Sequence, residues 1–254
     1  RQRQMCIRDR LEAAYQTRLF DRQGSRISLT ESGNLLLEHC ERILEDYKRL
    51  EYEMHLLHNE YTGGLKLGAS TTIAQYVLPP LLASFIGKFP QVSLSLLNGN
   101  SREIEAALQE HRIDLGFVEG VFRLPNIRYT TFLEDELVAV VRTGSKLAVG
   151  EEITPDELFH LPLVLRERGS GTLDVFERAL QQHNIKLSSL QVLMYLGSTE
   201  SIKLFLEHTD CLGIVSVRSI TRELYSGQLR VVEIKGMPML RDFSFAQPQG
   251  QESG

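Results

Sequence analysis

The chain has few cysteines and no long apolar run, and both scarcities exclude classes of protein. Its 254 residues contain three cysteines, Cys6, Cys40 and Cys211, which are odd in number and widely spaced. This spacing fits neither a disulfide framework nor a Cys-x-x-Cys metal site. The apolar runs fall well short of the roughly 18 residues that a membrane span needs, and no charged-then-apolar signal segment opens the chain. We therefore expect a cytoplasmic protein without membrane contact.

Motifs that would indicate catalysis or a bound cofactor are also missing. The turn "RERGSGT" at 166–172 lacks the lysine and the spacing of a phosphate-binding Walker loop, and no G-x-S-x-G motif occurs. The seven histidines do not have metal-ligand spacing. Glu119 and Glu167 could act as a pair of carboxylates, but nothing in the sequence brings them together. We expect no metal, no cofactor and no enzymatic activity.

Charge is distributed unevenly along the N-terminal quarter of the chain. Residues 1–30 contain seven arginines and three acids, whereas residues 31–61 contain three basic and eight acidic residues. The net charge of the whole chain is −5. A small basic head before an acidic segment is compatible with a head that contacts phosphate and a body that does not.

A heptad pattern predicts one long helix within residues 31–61. Residues 35–57 contain no proline or glycine, Thr30 can cap the helix, and "TGG" at 62–64 can end it. Apolar side chains recur in steps of four and three, at Leu36, Cys40, Ile43, Tyr47, Leu50, Met54 and Leu57. This seam is typical of a helix that pairs with another subunit. Alternatively, the stripe packs on the core of its own domain.

Beyond Gly64, short apolar runs alternate with helical segments. The first series of predicted strands runs from "LKLGAS" at 65–70 to "NIRYTTFL" at 126–133, with helices at about 74–87 and 101–110. A second series runs from "ELVAVV" at 136–141 to "LRVVEI" at 229–234. Such alternation indicates mostly parallel sheets covered by helices.

Two such series predict two similar α/β lobes, residues 65–136 and 137–245, before a polar tail at 246–254. We expect the acidic run "LEDE" at 133–136 to be a solvated crossover between them.

Polar residues cluster where predicted strands give way to helices. In open α/β sheets, ligands bind at the carboxyl ends of the strands. Helix N-termini carry unpaired N–H groups that hold small anions, although hydroxyl groups there also serve as ordinary caps. The candidate ligand-binding residues are Ser70, Thr71, Thr72, Asn98, Asn100, Ser101, Glu119, Arg166, Gly169, Ser170, Thr172, Ser198 and Thr199.

Several spaced motifs resemble LysR-type transcriptional regulators over residues 11–245. The run "LEAAYQTRLFDRQGSRISLTESG" at 11–33 is similar to the end of their winged helix-turn-helix and the start of the linker helix. Three more stretches are similar to their effector domain: "STTIAQYVLPPLLASFIGKFPQVSLSLLNGNSREIEAALQEHRIDLGFVEG", "RERGSGT" and "LGSTESIK". These most resemble the branch that governs carbon fixation and sulfur or nitrogen assimilation.

The resemblance implies a fold and a mode of action. It implies two Rossmann-like lobes of the periplasmic-binding-protein type, preceded by a linker helix and a winged helix-turn-helix remnant at 11–30. It also implies a small effector in the cleft between the lobes, operator DNA as a partner, and a homodimer or tetramer formed through antiparallel linker helices. Arg18, Arg22 and Arg26 would contact DNA phosphates through the wing.

The first ten residues depart from the family pattern. "RQRQMCIRDR" stands where the family has most of its recognition helix, and we expect it to be a foreign segment. A recognition helix reads base edges in the major groove, so its loss would remove the sequence-reading surface.

Three functions are compatible with these patterns. The leading interpretation is a ligand-responsive transcriptional regulator. A periplasmic-type solute-binding protein would share the two-lobed cleft, but the predicted pairing helix argues against it. The third alternative is an enzyme on the same scaffold, for which no catalytic constellation can be named.

Overall fold

The chain divides into two units, residues 1–62 and 63–254. The structure, a computed structural model, describes residues 9–23, 26–57, 62–121, 123–147 and 150–249. The predicted foreign segment at 1–10 therefore lies almost entirely outside the described residues.

The N-terminal unit joins a small hairpin to a long helix. Helical residues 9–14 (α1) precede two antiparallel strands, β1 (Phe20–Gln23) and β2 (Arg26–Leu29), which lead into α2 (Glu31–Leu57). Thr30 caps α2 as expected, because its Oγ1 accepts a hydrogen bond from Gly33 N at 3.0 Å. The same Oγ1 donates to Arg18 O at 2.6 Å, which ties the helix start to the hairpin.

The second unit begins with a βα series that forms lobe 1. Its elements are β3 (Gly63–Ser70), α3 (Thr71–Tyr76), α4 (Leu78–Lys88), β4 (Val92–Gly99), α5 (Ser101–Gln109) and β5 (Leu115–Glu119). Strand β3 pairs in parallel with β4 and β5. The single helix predicted at 74–87 is wrong, because α3 ends at Tyr76 and α4 restarts at Leu78 with proline in its first turn. Pro79 and Pro80 have no N–H to donate to the preceding turn, so the first helix cannot continue through them.

Lobe 2 contains the second series. Its elements are β7 (Glu152–Ile153), β8 (Leu163–Arg166), α6 (Gly171–Gln182), β9 (Val192–Leu196), α7 (Thr199–His208), β10 (Leu212–Ser216), α8 (Thr221–Tyr225) and β11 (Leu229–Ile234). Short 3-10 helices cover Pro155–His160, Leu187–Ser189 and Val217–Ser219. Strand β8 pairs in parallel with β9 and β10.

Two long strands connect the lobes. Strand β6 (Ile127–Arg142) pairs antiparallel with β12 (Met239–Pro248) in its first part and with β10 and β11 in its last part. Strand β12 then returns to pair antiparallel with β5 of lobe 1. The strand order is β4-β3-β5-β12-β6-β10-β8-β9, with β11 and β7 joined beside β6.

The chain does cross between the lobes near 133–136, but the expectation that this crossover is solvated is wrong. These residues belong to the continuous strand β6, and Asp135 is buried. The expected boundary between residues 136 and 137 falls inside this strand, and residues 246–248 of the expected tail complete β12. The sheet is therefore mixed, with parallel strands in each lobe and antiparallel strands between them.

Each lobe buries apolar side chains on both faces of its sheet. In lobe 1, Phe117 and Val118 belong to different core clusters because successive strand residues point to opposite faces. In lobe 2, Val164 is likewise separated from Leu163 and Leu165. Helices on both faces supply the other half of each core, so the polar strand ends are left for the cleft.

Candidate functional site

A pocket of about 330 Å³ lies between the lobes at the ends of their parallel strands. Its walls come from α3, from the turn between β4 and α5, and from the turns that follow β8 and β9. The parallel strands of the two lobes run in opposite directions, so their carboxyl ends, and the turns that follow them, face each other. We call this the cleft pocket, and it is lined by Thr71, Gln75, Asn98, Gly99, Asn100, Glu103, Glu167, Gly197 and Ser198.

Arg166 spans the base of the cleft. It ends β8 in lobe 2 and is only 1% exposed. Its Nη1 donates to Thr199 Oγ1 at 3.3 Å, and its Nη2 donates to Thr71 Oγ1 of lobe 1 at 3.3 Å. The guanidinium also holds both carboxylate oxygens of Glu167. Arg166 therefore joins the two lobes directly.

The three consecutive hydroxyl groups after β3 have three different environments. Ser70 occupies the N-cap position of α3 but makes no capping hydrogen bond, and its buried Oγ has no hydrogen-bond partner among the described residues. Thr71 Oγ1 donates to Gly99 O at 3.2 Å. Thr72 Oγ1 donates to Glu119 Oε1 at 3.2 Å. Capping therefore does not explain this run of hydroxyl groups.

Capping does explain three other predicted residues. Asn100 caps α5 in a reciprocal arrangement with Glu103, and Ser170 and Ser198 cap α6 and α7. These bonds orient the N-termini of α5 from lobe 1 and α7 from lobe 2 at the cleft pocket, where Asn100 and Ser198 both form part of the wall. The helix ends thus present partial positive charge there.

A buried charge cluster lies beneath the junction of the lobes. Arg241 of β12 contacts Asp135 Oδ2 through Nε at 2.8 Å and Nη2 at 2.7 Å, and its Nη2 lies 3.3 Å from Glu119 Oε2. It also donates to Thr172 Oγ1 at 3.0 Å and to Thr72 Oγ1 at 3.4 Å. Arg241 thus connects the first turns of α3 and α6, which belong to different lobes.

Backbone packing brings the lobes close at the same junction. A Cβ on Gly171 would lie 2.3 Å from Glu119 O, and one on Gly120, whose φ is +108°, would lie 2.9 Å from Gly171 Cα. Ser101 Oγ donates to Glu119 O at 2.7 Å. Gly169 O accepts from Arg102 N at 3.4 Å. Only glycine permits this approach of the two lobes.

A third bridge joins α3 of lobe 1 to α7 of lobe 2. Tyr76 of α3 donates a short hydrogen bond to Glu200 of α7, whose Oε1 also contacts Lys203 Nζ at 2.8 Å. Burial, followed by the hydrogen bond to Glu200, raises the pKa of the Tyr76 hydroxyl above its usual value. Tyr76 therefore remains a neutral donor, and the bridge does not titrate near neutral pH.

A separate pocket of about 360 Å³ lies near Arg241, away from the residues that line the cleft pocket. Arg123, Arg178 and Arg241 face Glu134, Asp135 and Asp242 there, so its charges balance. Among the described residues, no group of three or more His, Cys, Asp or Glu side chains could hold a metal ion.

The structure separates the predicted residues into groups. Thr71, Asn98, Asn100 and Ser198 line the cleft pocket, and Arg166 and Thr199 lie directly behind it. Thr72, Glu119 and Thr172 lie at the buried junction, where the Ser101 hydroxyl donates a hydrogen bond to the backbone oxygen of Glu119.

Sequence reasoning missed Arg241 and Asp135, because each lies within a strand and not at a strand-to-helix turn. It also missed Gln75, although a polar residue one helical turn after Thr71 points to the same face.

The seam of α2 is uncovered. Ile43 is 65% exposed, and Cys40, Tyr47, Leu50 and Met54 are also exposed, while Leu36 is half-buried. The alternative that this stripe packs on its own domain is thus not supported. Arg18 is exposed beside the hairpin. The side chains of Arg22, Arg26 and Leu57 lie outside what the structure describes.

No helix in the described part of the chain, α2 included, is both long and apolar enough to cross a bilayer.

Comparison with known proteins places these features in one family. The family model of the LysR substrate binding domain matches residues 58–254. The HTH-type transcriptional regulator YeiE of Escherichia coli is 35% identical over 88% of this chain and 74% of its own length. The RuBisCO operon transcriptional regulator of Acidithiobacillus ferrooxidans is 30% identical over 96% of this chain and 78% of its own length.

A solved structure has the same fold. The regulatory domain of Synechocystis PCC6803 CcmR, in complex with 2-PG, superimposes with a TM-score of 0.68 at 27% identity, covering 76% of this chain and 91% of that domain. The resemblance in the sequence motifs is therefore confirmed. The chain belongs to the LysR family of transcriptional regulators.

Proposed function

We propose that the cleft pocket binds a small polar or anionic effector. The observation that carries this proposal is the convergence of the N-termini of α5 and α7, from opposite lobes, on one pocket. Helix N-termini attract anions through their N–H groups and dipole. A volume of about 330 Å³ suits a small metabolite.

The side chains of the wall can orient such a ligand. Asn98 is exposed in the pocket, and Gln75 Oε1, which has no hydrogen-bond partner among the described residues, can accept a hydrogen bond from a polar ligand. Thr71 and Ser198 add hydroxyl groups from the two lobes. A ligand held by both walls would stabilise one arrangement of the lobes over another.

The effector would act on transcription through the arrangement of subunits. The uncovered seam of α2 supports pairing with another copy of this chain, because its large apolar side chains from Ile43 to Met54 are 50–65% exposed. Arg18 would contact DNA phosphate beside the hairpin. Family membership favours this regulator over a solute-binding protein and over an enzyme. Because operator DNA lies in the cytoplasm, the protein would act there.

A thermal-shift panel can identify the effector. We would test inorganic phosphate, sulfate and 2-PG, the ligand named for the CcmR domain. A ligand at 100 times its Kd stabilises the folded state by about 2.7 kcal/mol.

Calorimetry with Thr71→Ala then tests the site. Loss of one hydroxyl contact should weaken binding about 3- to 10-fold. Thr131→Ala is the matched control, because Thr131 contacts Asp242 on the surface and does not line the cleft pocket. Equal affinity in the two variants would place the effector elsewhere.

A further inference from the structure

Glu167, which lines the cleft pocket, already binds Arg166, the buried cation behind it. Its two carboxylate oxygens accept from Arg166, Oε2 from Nε at 2.8 Å and Oε1 from Nη2 at 3.1 Å. This is the parallel two-bond geometry in which a guanidinium binds an external carboxylate or phosphate. The protein therefore supplies its own oxyanion to Arg166.

The remaining contacts of Arg166 are longer and come from neutral groups. Its Nη1 lies 3.3 Å from Thr199 Oγ1, and its Nη2 lies 3.3 Å from Thr71 Oγ1 and 3.4 Å from Gly197 O. Arginine has five N–H donors, and these three neutral acceptors all contact its terminal nitrogens, Nη1 and Nη2. Glu167 is therefore the charged partner of Arg166 and covers its Nε edge.

Glu167 is also the partner best able to move. Its side chain is 27% exposed and lines the cleft pocket, whereas Thr71 and Thr199 are buried at helix starts. Withdrawal of the Glu167 carboxylate towards solvent would uncover the Nε edge of Arg166 without moving either lobe.

We propose that Glu167 is a specificity-determining residue that competes with the effector for Arg166. The proposal rests on the cleft pocket being the effector site. An effector reaches Arg166 only by displacing a carboxylate attached to the adjacent residue, so it must offer two oxygens spaced to bind a guanidinium side by side. Carboxylates, phosphates and sulfate satisfy this condition, and monatomic anions such as chloride do not.

Competition by Glu167 lowers the apparent affinity of the protein for the effector, because only the molecules in which Arg166 is free can bind it. If Glu167 binds Arg166 nine-tenths of the time, an external oxyanion binds about 10-fold more weakly than to an unoccupied site. Glu167→Gln removes the charge of the competitor while keeping its size, and should recover that factor.

The experiment is a calorimetric titration with sodium sulfate at constant ionic strength. Glu167→Gln should bind sulfate about 10-fold more tightly than the wild type, and Glu167→Asp, whose carboxylate is one methylene shorter, should fall between them. Glu110→Gln is the matched control, because Glu110 forms a surface pair with Arg112 at 2.6 Å and the change in net charge is the same. The melting temperature without sulfate checks that each variant is folded.

The outcomes separate the two proposals. Unchanged or weaker sulfate binding by both Glu167 variants, together with weaker binding by Thr71→Ala, overturns the competition but leaves the effector site intact. If Glu110→Gln also binds sulfate more tightly, net charge alone explains the effect of the Glu167 variants, and the competition is overturned. Sulfate binding that Thr71→Ala does not weaken, or no binding by any variant, overturns both.

Discussion

Replacing Arg241 with methionine should strongly destabilise the unit formed by residues 63–254. The guanidinium is fully buried between Asp135 and Glu119, whose carboxylates are also buried. Removing one partner of a buried ion pair leaves an uncompensated charge and costs about 3–5 kcal/mol. With a urea m-value of about 3 kcal/mol/M, the unfolding midpoint should fall by about 1–2 M.

Arg218→Met is the matched control for this experiment. Arg218 contacts the same carboxylate group, with Nε 3.4 Å from Asp135 Oδ1, but its side chain is 39% exposed. Solvent reaches and screens Arg218, and Asp135 keeps its buried partner Arg241 when Arg218 is removed, so this loss should cost much less. Urea titrations followed by circular dichroism should therefore show a small shift for Arg218→Met and a large one for Arg241→Met. Equal shifts would refute the view that Arg241 holds the junction of the lobes.

The remaining predictions concern assembly, thiol reactivity and pH. Ile43→Lys combined with Leu50→Lys should reduce the assembly to monomers in sedimentation velocity, and an unchanged sedimentation coefficient would contradict the pairing helix. Burial, with the charge of the neighbouring aspartate, raises the pKa of Cys211 to about 11. Iodoacetamide at pH 8 should therefore label exposed Cys40 and spare Cys211, and equal rates would argue against this burial. Burial also raises the pKa of Glu105, so its stabilising contribution is present at low pH and decreases as pH rises. Glu105→Gln should gain stability over wild type at pH 7 but not at pH 4, and the opposite order in denaturant titrations would contradict the shift.

The alternation of strands and helices could be predicted because each element has its own apolar pattern. Thr30 as a cap and the long helix after it follow from local rules, and the structure agrees. Interruption of the helix near Pro79 was also available from local chemistry, since proline restricts the residue before it. The error there came from giving the apolar pattern more weight than the proline pair.

The buried charges could not be predicted in the same way. The run containing Asp135 has the composition of a solvated turn, and its burial depends on Arg241, which lies 106 residues later in the chain. Such long-range pairing leaves no periodic signal. The same limit applies to the hydroxyl run. Nothing in the sequence distinguishes Thr71 from Thr72, whereas in the structure Thr71 contacts Arg166 and Thr72 contacts Glu119.

A crystal structure with a bound ligand would test the central claim most directly. The ligand should be the anion that stabilises the protein most in the thermal-shift panel. We expect its electron density in the cleft pocket, between Thr71 and Asn100 of one lobe and Ser198 of the other, with the Glu167 carboxylate turned away from Arg166. Density in the separate pocket beside Arg178, with the cleft pocket empty and Glu167 still bound to Arg166, would contradict the account.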